Sequence, residues 1–234
     1  MDVVELLPRL RLLRFPVGQA YLWSDGDEVT LIDAGPPGAG ASIAALAQSS
    51  GTVRRIVLTH FHEDHAGGAG ELAALTGAEV LVHRLDAAAV RGEVPGPPPV
   101  FEDWEVPIHA EVSRQLPGGD FVRPSHVTEI ADGAVLDLGG GARVIHTPGH
   151  TPGSIALHLP GERVLFTGDT VAASPVDGSV LPGVFNVDRE GRLASFHRLA
   201  ALDAEIACFG HGDPVIGHAG TTLRRSADRH PLSP

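Results

Sequence analysis

The sequence predicts an α/β fold in which two sheets pack together and carry helices on their outer sides. Three observations predict it. Strand-like runs occur in both halves of the chain. Helix-like stretches follow each set of strands and do not alternate with every one, which favours packed sheets over repeated βα units. A chain of 234 residues that is 43% hydrophobic has enough apolar material for one sizeable domain spanning 1–234 with a real core.

In chain order, Leu10–Phe15, Ala20–Trp23 and Val29–Ile32 are short apolar runs of strand length, and Ser24-Asp25-Gly26-Asp27 between the last two has the composition of a hairpin turn. Asp33-Ala34-Gly35-Pro36-Pro37-Gly38 ends the third run, and the alanine-rich stretch Ala39–Ser49 has helical spacing. Val53–Leu58 is a strand that runs directly into Thr59-His60; Gly67–Leu75 reads as a helix and Ala78–His83 as a strand. Four further strands are expected at Ala134–Leu138, Arg143–His146, Ser154–Leu159 and Val164–Thr167, then a helix over Gly191–Leu202, a strand over Ile206–Phe209 and a last helix over Gly220–His230.

Between about Leu85 and Ala131 the periodicity fails: prolines crowd 95–99, and Phe101, Trp104 and Phe121 are scattered among charges, with a short helix expected over His109–Gln115. A long irregular stretch inside a compact protein needs a reason, and the expectation is an inserted, substrate-covering loop region with these three aromatics as apolar contacts. An ordered surface excursion or a contact between subunits is the alternative reading.

Seventeen Lys and Arg against 29 Asp and Glu give a net charge of −12, which disfavours partners held by phosphate neutralisation, nucleic acid above all. Bound divalent ions would still make a site locally cationic. The single cysteine, Cys208, excludes an internal disulfide and a thiolate cluster, so a metal would be held by imidazole and carboxylate, as suits a reducing compartment. The segment Met1–Phe15 is broken by Glu5, Pro8, Arg9 and Arg11 and reads as structure, with no membrane-length apolar run elsewhere. A cytoplasmic protein without a membrane partner is expected; a homo-oligomer is left open.

The sharpest local signal is Thr59-His60-Phe61-His62-Glu63-Asp64-His65. Residues two apart on an extended chain point the same way, so His60 and His62 can reach one ion, and Asp64 and His65 can reach a second as the loop turns into a helix. Imidazole and carboxylate together suit zinc, iron or manganese. His150 falls on a tight turn within Thr147-Pro148-Gly149-His150-Thr151-Pro152-Gly153-Ser154, Asp169 ends a strand with two oxygens that can bridge ions, and His211 follows another strand end.

With these motifs in order, together with Leu31-Ile32-Asp33-Ala34-Gly35, the chain resembles the metallo-β-lactamase-fold hydrolase superfamily, in its small glyoxalase II-like and lactonase-like branch. The resemblance implies an αββα four-layer sandwich with the site at one edge of the sheets. It implies His60, His62 and His150 for a first metal, Asp64, His65 and His211 for a second, Asp169 bridging, and Asp33 supporting the site from behind. The cofactor so implied is two divalent ions, zinc first, with iron or manganese as alternatives.

A water between two ions is acidified enough to supply hydroxide near neutrality, one ion can polarise a carbonyl, and Asp64 can orient the nucleophile and accept its proton. The expected activity is hydrolysis of a small acyl substrate, an ester, thioester or lactone. Zinc β-lactamases of the superfamily generally lack the bridging aspartate present here as Asp169. The lactonases place a tyrosine after that aspartate, whereas Asp169 is followed by Thr170-Val171-Ala172. Glyoxalase II usually has a basic C-terminal region, of which this chain has only Arg224, Arg225 and Arg229. Two other readings stay open: a one-iron persulfide dioxygenase using His60, His150 and Asp169, and a noncatalytic metal-stabilised binding protein.

Overall fold

The computed structural model describes residues 1–118 and 120–232. The chain divides into two compact units, Met1–Gly96 with Val106–Ile130, and Pro97–Glu105 with Ala131 onward.

The first unit holds a seven-stranded sheet in the order β1 (Asp2–Leu7), β2 (Leu10–Arg14), β3 (Gln19–Asp25), β4 (Glu28–Ile32), β5 (Thr52–Val57), β6 (Glu79–His83) and β7 (Thr128–Ile130). β1 to β4 form an antiparallel meander, and β4 to β7 run parallel. Parallel neighbours cannot be joined by a tight turn, so every crossover here contains helix: α1 (Gly40–Ala47), then α2 (Glu63–Ala66) and α3 (Ala69–Thr76), then α4 (Ala87–Val90) and α5 (Glu105–Gln115). Leu22 and Leu31 from the meander, Ile56 and Val82 from the parallel strands, and Ile43 and Leu72 from the helices close one apolar core. Complete burial of each such side chain stabilises by about 1.5–3 kcal/mol. That core fixes the ends of β4 and β5, from which Asp33 and the Thr59–His65 motif emerge.

The second unit has a six-stranded sheet in the order β15 (Val215–Ile216), β14 (Ile206–Cys208), β11 (Val164–Phe166), β10 (Ile155–Leu159), β9 (Ala142–His146) and β8 (Val135–Leu136). β8 to β11 are an antiparallel meander, whereas β11 and β14 are parallel. Their crossover contains a 3-10 turn (Gly168–Thr170), the hairpin β12 (Val171–Ala173) and β13 (Val180–Pro182), and α6 (Arg189–Ala200). Asp188 caps α6, accepting from Gly191 N at 3.0 Å. Phe196 and Leu199 of α6 and Leu223 of α7 (Ala219–Arg229) pack with Ile145, Leu165 and Phe209.

The strands and helices expected from the sequence are present with end shifts of a few residues. Several elements were not legible. β1 is an exposed edge with charges at Asp2 and Glu5, so its alternation shows no buried face. The expected helix over Gly67–Leu75 is α3 (Ala69–Thr76), and the short α2 (Glu63–Ala66) before it was not expected; between them a Cβ on Gly67 would lie 2.4 Å from Pro37 Cδ. The helix expected at His109 begins at Glu105, because Pro107 falls in the first turn, where its missing N–H costs nothing. The strands β12, β13 and β15 are too short to show a period. Among the described residues no helix is long and apolar enough to cross a membrane.

Candidate metal centre

In the first unit the site grows from the end of β4. Asp33, 2% exposed, sits in the left-handed region at φ 62°. One of its oxygens accepts from Thr59 N at 2.7 Å, and the other from Thr59 Oγ1 at 2.9 Å and from His65 Nδ1 at 2.9 Å. With its hydroxyl proton given to Asp33, Thr59 Oγ1 accepts from His60 Nδ1 at 3.0 Å. Both imidazoles are thus tied at Nδ1, which leaves each Nε2 as the lone-pair donor. His62 stands against His60 with ring centroids 4.7 Å apart, and His65 against His60 at 4.2 Å. Asp64 lies in the first turn of α2, with Oδ2 3.4 Å from His65 Nε2. Gly18, at φ 71°, passes so close to Asp64 that a Cβ would sit 2.6 Å from its carbonyl oxygen; the approach requires glycine.

In the second unit His150 occupies the turn after β9. Thr147 N bonds Ser154 O at 2.8 Å, Ser195 Oγ of α6 bonds Pro148 O at 2.7 Å, and Asp188 N bonds Gly149 O at 2.8 Å. A Cβ on Gly149 would fall 2.0 Å from Arg192 N, so this turn can lie on α6 only as glycine. His150 Nδ1 donates to Val184 O at 3.0 Å, again directing Nε2 away from the scaffold. Asp169 is in the 3-10 turn after β11, and His211 follows β14, the strand parallel to β11; Gly210 N bonds Gly168 O at 3.0 Å and keeps the two strand ends together. Asp169 Oδ2 is 3.5 Å from His150 Nε2 and 3.2 Å from His211 Nε2.

The donor chemistry fits divalent ions of borderline softness: imidazoles oriented through Nδ1 and carboxylates beside them, while Cys208 is buried within β14. Side chains of these motifs form three overlapping donor sets of the kind that holds an ion: His60, His62 and His150; His60, His65 and Asp169; Asp64, His65 and His211.

The three aromatics are dispersed. Phe101 belongs to the 97–105 strap of the second unit and packs edge-on against Phe185 at 6.1 Å. Trp104, next to it, is 52% exposed, its indole N–H given to Glu102. Phe121 belongs to the first unit, under the guanidinium of Arg123 at 4.3 Å, and Arg123 in turn reaches Glu63 at 4.0 Å. Sequence reasoning missed Thr59 as the link between Asp33 and His60, and the whole 183–189 loop behind His150. The only signal for that loop was the capping Asp188 before α6.

The sequence profile of the metallo-beta-lactamase superfamily matches residues 13–211. The Bacillus subtilis protein named "Probable metallo-hydrolase YflN" is 31% identical over 209 residues, covering 83% of this chain and 79% of its own. A hydroxyacylglutathione hydrolase of Cereibacter sphaeroides is also 31% identical over 209 residues, covering 88% of this chain; the chain spans 64% of that relative's length. A crystal structure of a metallo-beta-lactamase family protein from Thermus thermophilus matches with a TM-score of 0.68 at 28% identity, over 97% of this chain and 79% of the other. The fold is therefore the expected α/β sandwich of mixed sheets flanked by helices, and the overlapping donor sets make the protein a metal-dependent hydrolase with a binuclear divalent centre. On the extent of the profile match, joined to relatives alike along most of its length, the chain belongs to the metallo-β-lactamase superfamily.

Proposed function

We propose that the protein hydrolyses a small acyl substrate, a thioester, ester or lactone, with His60, His62 and His150 holding one ion, Asp64, His65 and His211 the other, and Asp169 spanning both. The observation that carries this reading is the position of one Asp169 oxygen within 3.5 Å of His150 Nε2 and 3.2 Å of His211 Nε2, imidazoles assigned to different ions. A carboxylate shared between two ions favours the acyl hydrolases over the zinc β-lactamases, which generally lack it. The relative named a hydroxyacylglutathione hydrolase supports a thioester within that class.

Divalent ions, zinc in this reading, supply Lewis acidity toward the carbonyl and a water that is deprotonated near neutral pH. The chain does the rest. Asp33 fixes the rings of His65 and, through Thr59, His60, while Asp64 orients the attacking oxygen and takes its proton as the tetrahedral intermediate collapses. The 85–131 region, with Phe101, Trp104 and Phe121, selects the acyl group. In support, α5 buries only Glu105 among its side chains and Trp104 remains half exposed, as a substrate cover would. A cytoplasmic location is part of the same reading, supported by the single cysteine.

A panel of thioesters, esters, lactones and β-lactams on metal-replete protein tests it. Turnover of at least one of the first three classes, falling by about 100-fold or more in Asp64→Asn, is expected. Turnover of β-lactams alone, or activity indifferent to Asp64→Asn, sinks the proposal.

A further inference from the structure

The 97–105 strap is held to the second unit by polar contacts that the hydrolytic site does not use. Glu105 is 1% exposed in a stretch that is otherwise largely open to solvent. Its Oε2 accepts from Glu102 N at 2.8 Å and from Arg189, and its Oε1 accepts from Phe185 N at 3.0 Å. Arg189, the first residue of α6, also donates to Val100 O at 2.7 Å and pairs with Glu102, so the Glu105 charge is compensated where the strap meets α6.

The Phe185 N–H and the Val184 C=O belong to one peptide group, planar and trans, with its donor and acceptor pointing in opposite directions. Glu105 Oε1 binds the donor end at 3.0 Å and His150 Nδ1 the acceptor end at 3.0 Å. Phe185 itself is held in the left-handed region at φ 57°, a conformation that is strained for a non-glycine residue and persists only where its surroundings dictate it. A carboxylate at the N–H also polarises the peptide and strengthens its carbonyl as an acceptor.

We infer that Glu105 is a positioning residue of the metal centre, orienting His150 through the 184–185 peptide as a carboxylate bonded directly to a ligating histidine would. The inference rests on the assignment of His150 as a ligand. It gives the strap a second role. Besides presenting Phe101 and Trp104, the strap fixes the tautomer and tilt of the His150 imidazole through the intervening peptide.

The test is chelator competition on the zinc-loaded protein, with the visible spectrum of the cobalt-substituted form as a second readout. Glu105→Ala is expected to weaken one of the two ions by about 10–100-fold and to perturb one cobalt band set, leaving the other ion and the circular dichroism unchanged. Should the alanine variant not fold, Glu105→Asp, too short to reach the Phe185 amide, must give the same selective loss. Arg189→Gln breaks the ion pair but leaves the bond to the amide, and is expected to retain both ions at the wild-type affinity. Equal weakening in Arg189→Gln assigns the effect to anchoring of the strap and overturns the inference. If His150→Ala loses an ion and neither Glu105 variant weakens it, the inference alone fails. If His150→Ala keeps both ions, the ligand assignment fails with it.

Discussion

Asp33 shows how much one side chain controls. Its carboxylate is the common acceptor for a backbone amide, a hydroxyl and an imidazole, and all three donors are buried. Asp33→Ala would leave these donors without a partner, each at a cost of roughly 1–3 kcal/mol before relaxation. We expect a lowered urea midpoint for the metal-free protein and a roughly 10–100-fold weaker hold on the ion at His65. Unchanged values in both measurements would remove Asp33 from its supporting role. The donors themselves were legible because His60, His62, Asp64 and His65 crowd into one short motif that packing or capping does not explain. Thr59 and Glu105 were not legible. A threonine next to a histidine is ordinary, and the link from Asp33 through Thr59 Oγ1 to His60 Nδ1 exists only in three dimensions.

At the scale of elements, the proposed role of the strap and α5 is to select the acyl group. If Trp104 covers substrate, Trp104→Ala should change KM, or the ranking among acyl substrates, several-fold or more, with metal content held at the wild-type value. Identical kinetics across the panel would place Trp104 outside the pocket. The docking of the strap has its own pH dependence. Burial opposes ionisation of Glu105, but the amides of Glu102 and Phe185 and the Arg189 guanidinium outweigh it and hold its carboxyl below the usual range. A depressed folded-state pKa means that the charged contact stabilises above the ordinary glutamate range, about pH 4.3, and that this contribution is lost as pH falls through the lowered value. Of the charged neighbours, Arg189 of α6 pairs with both Glu105 and Glu102, and Arg192, whose own pKa burial pushes down, lies close enough to interact with Glu105. Hydrogen exchange at Phe185 N–H should therefore lose protection in acid before the β9–β11 amides do. Simultaneous loss would show that the strap is not an independent element. The sequence announced this region as irregular, and it is short of helix and strand periods because α5 faces solvent on nearly every side.

At the scale of the whole molecule, both sheets were visible as apolar runs, since strands buried on both faces, such as β10 and β11, read as hydrophobic stretches interrupted only by His158. The helices α1, α6 and α7 were visible by the spacing of their apolar residues. Strand order and the parallel pairing of β11 with β14 were not, because a crossover that contains a hairpin and a helix leaves no periodic trace. That pairing is what brings Asp169 and His211 to neighbouring strand ends, so the binuclear claim depends on topology as well as on motif. Elemental analysis of metal-replete wild type and His211→Ala, with oxygen uptake on a persulfide and ester or thioester cleavage measured in parallel, tests it most directly. Close to two divalent ions per chain are expected in the wild type, close to one in His211→Ala with hydrolysis depressed, and no oxygen uptake in either; a single iron in both proteins, with oxygen consumed by both, would overturn the binuclear hydrolase.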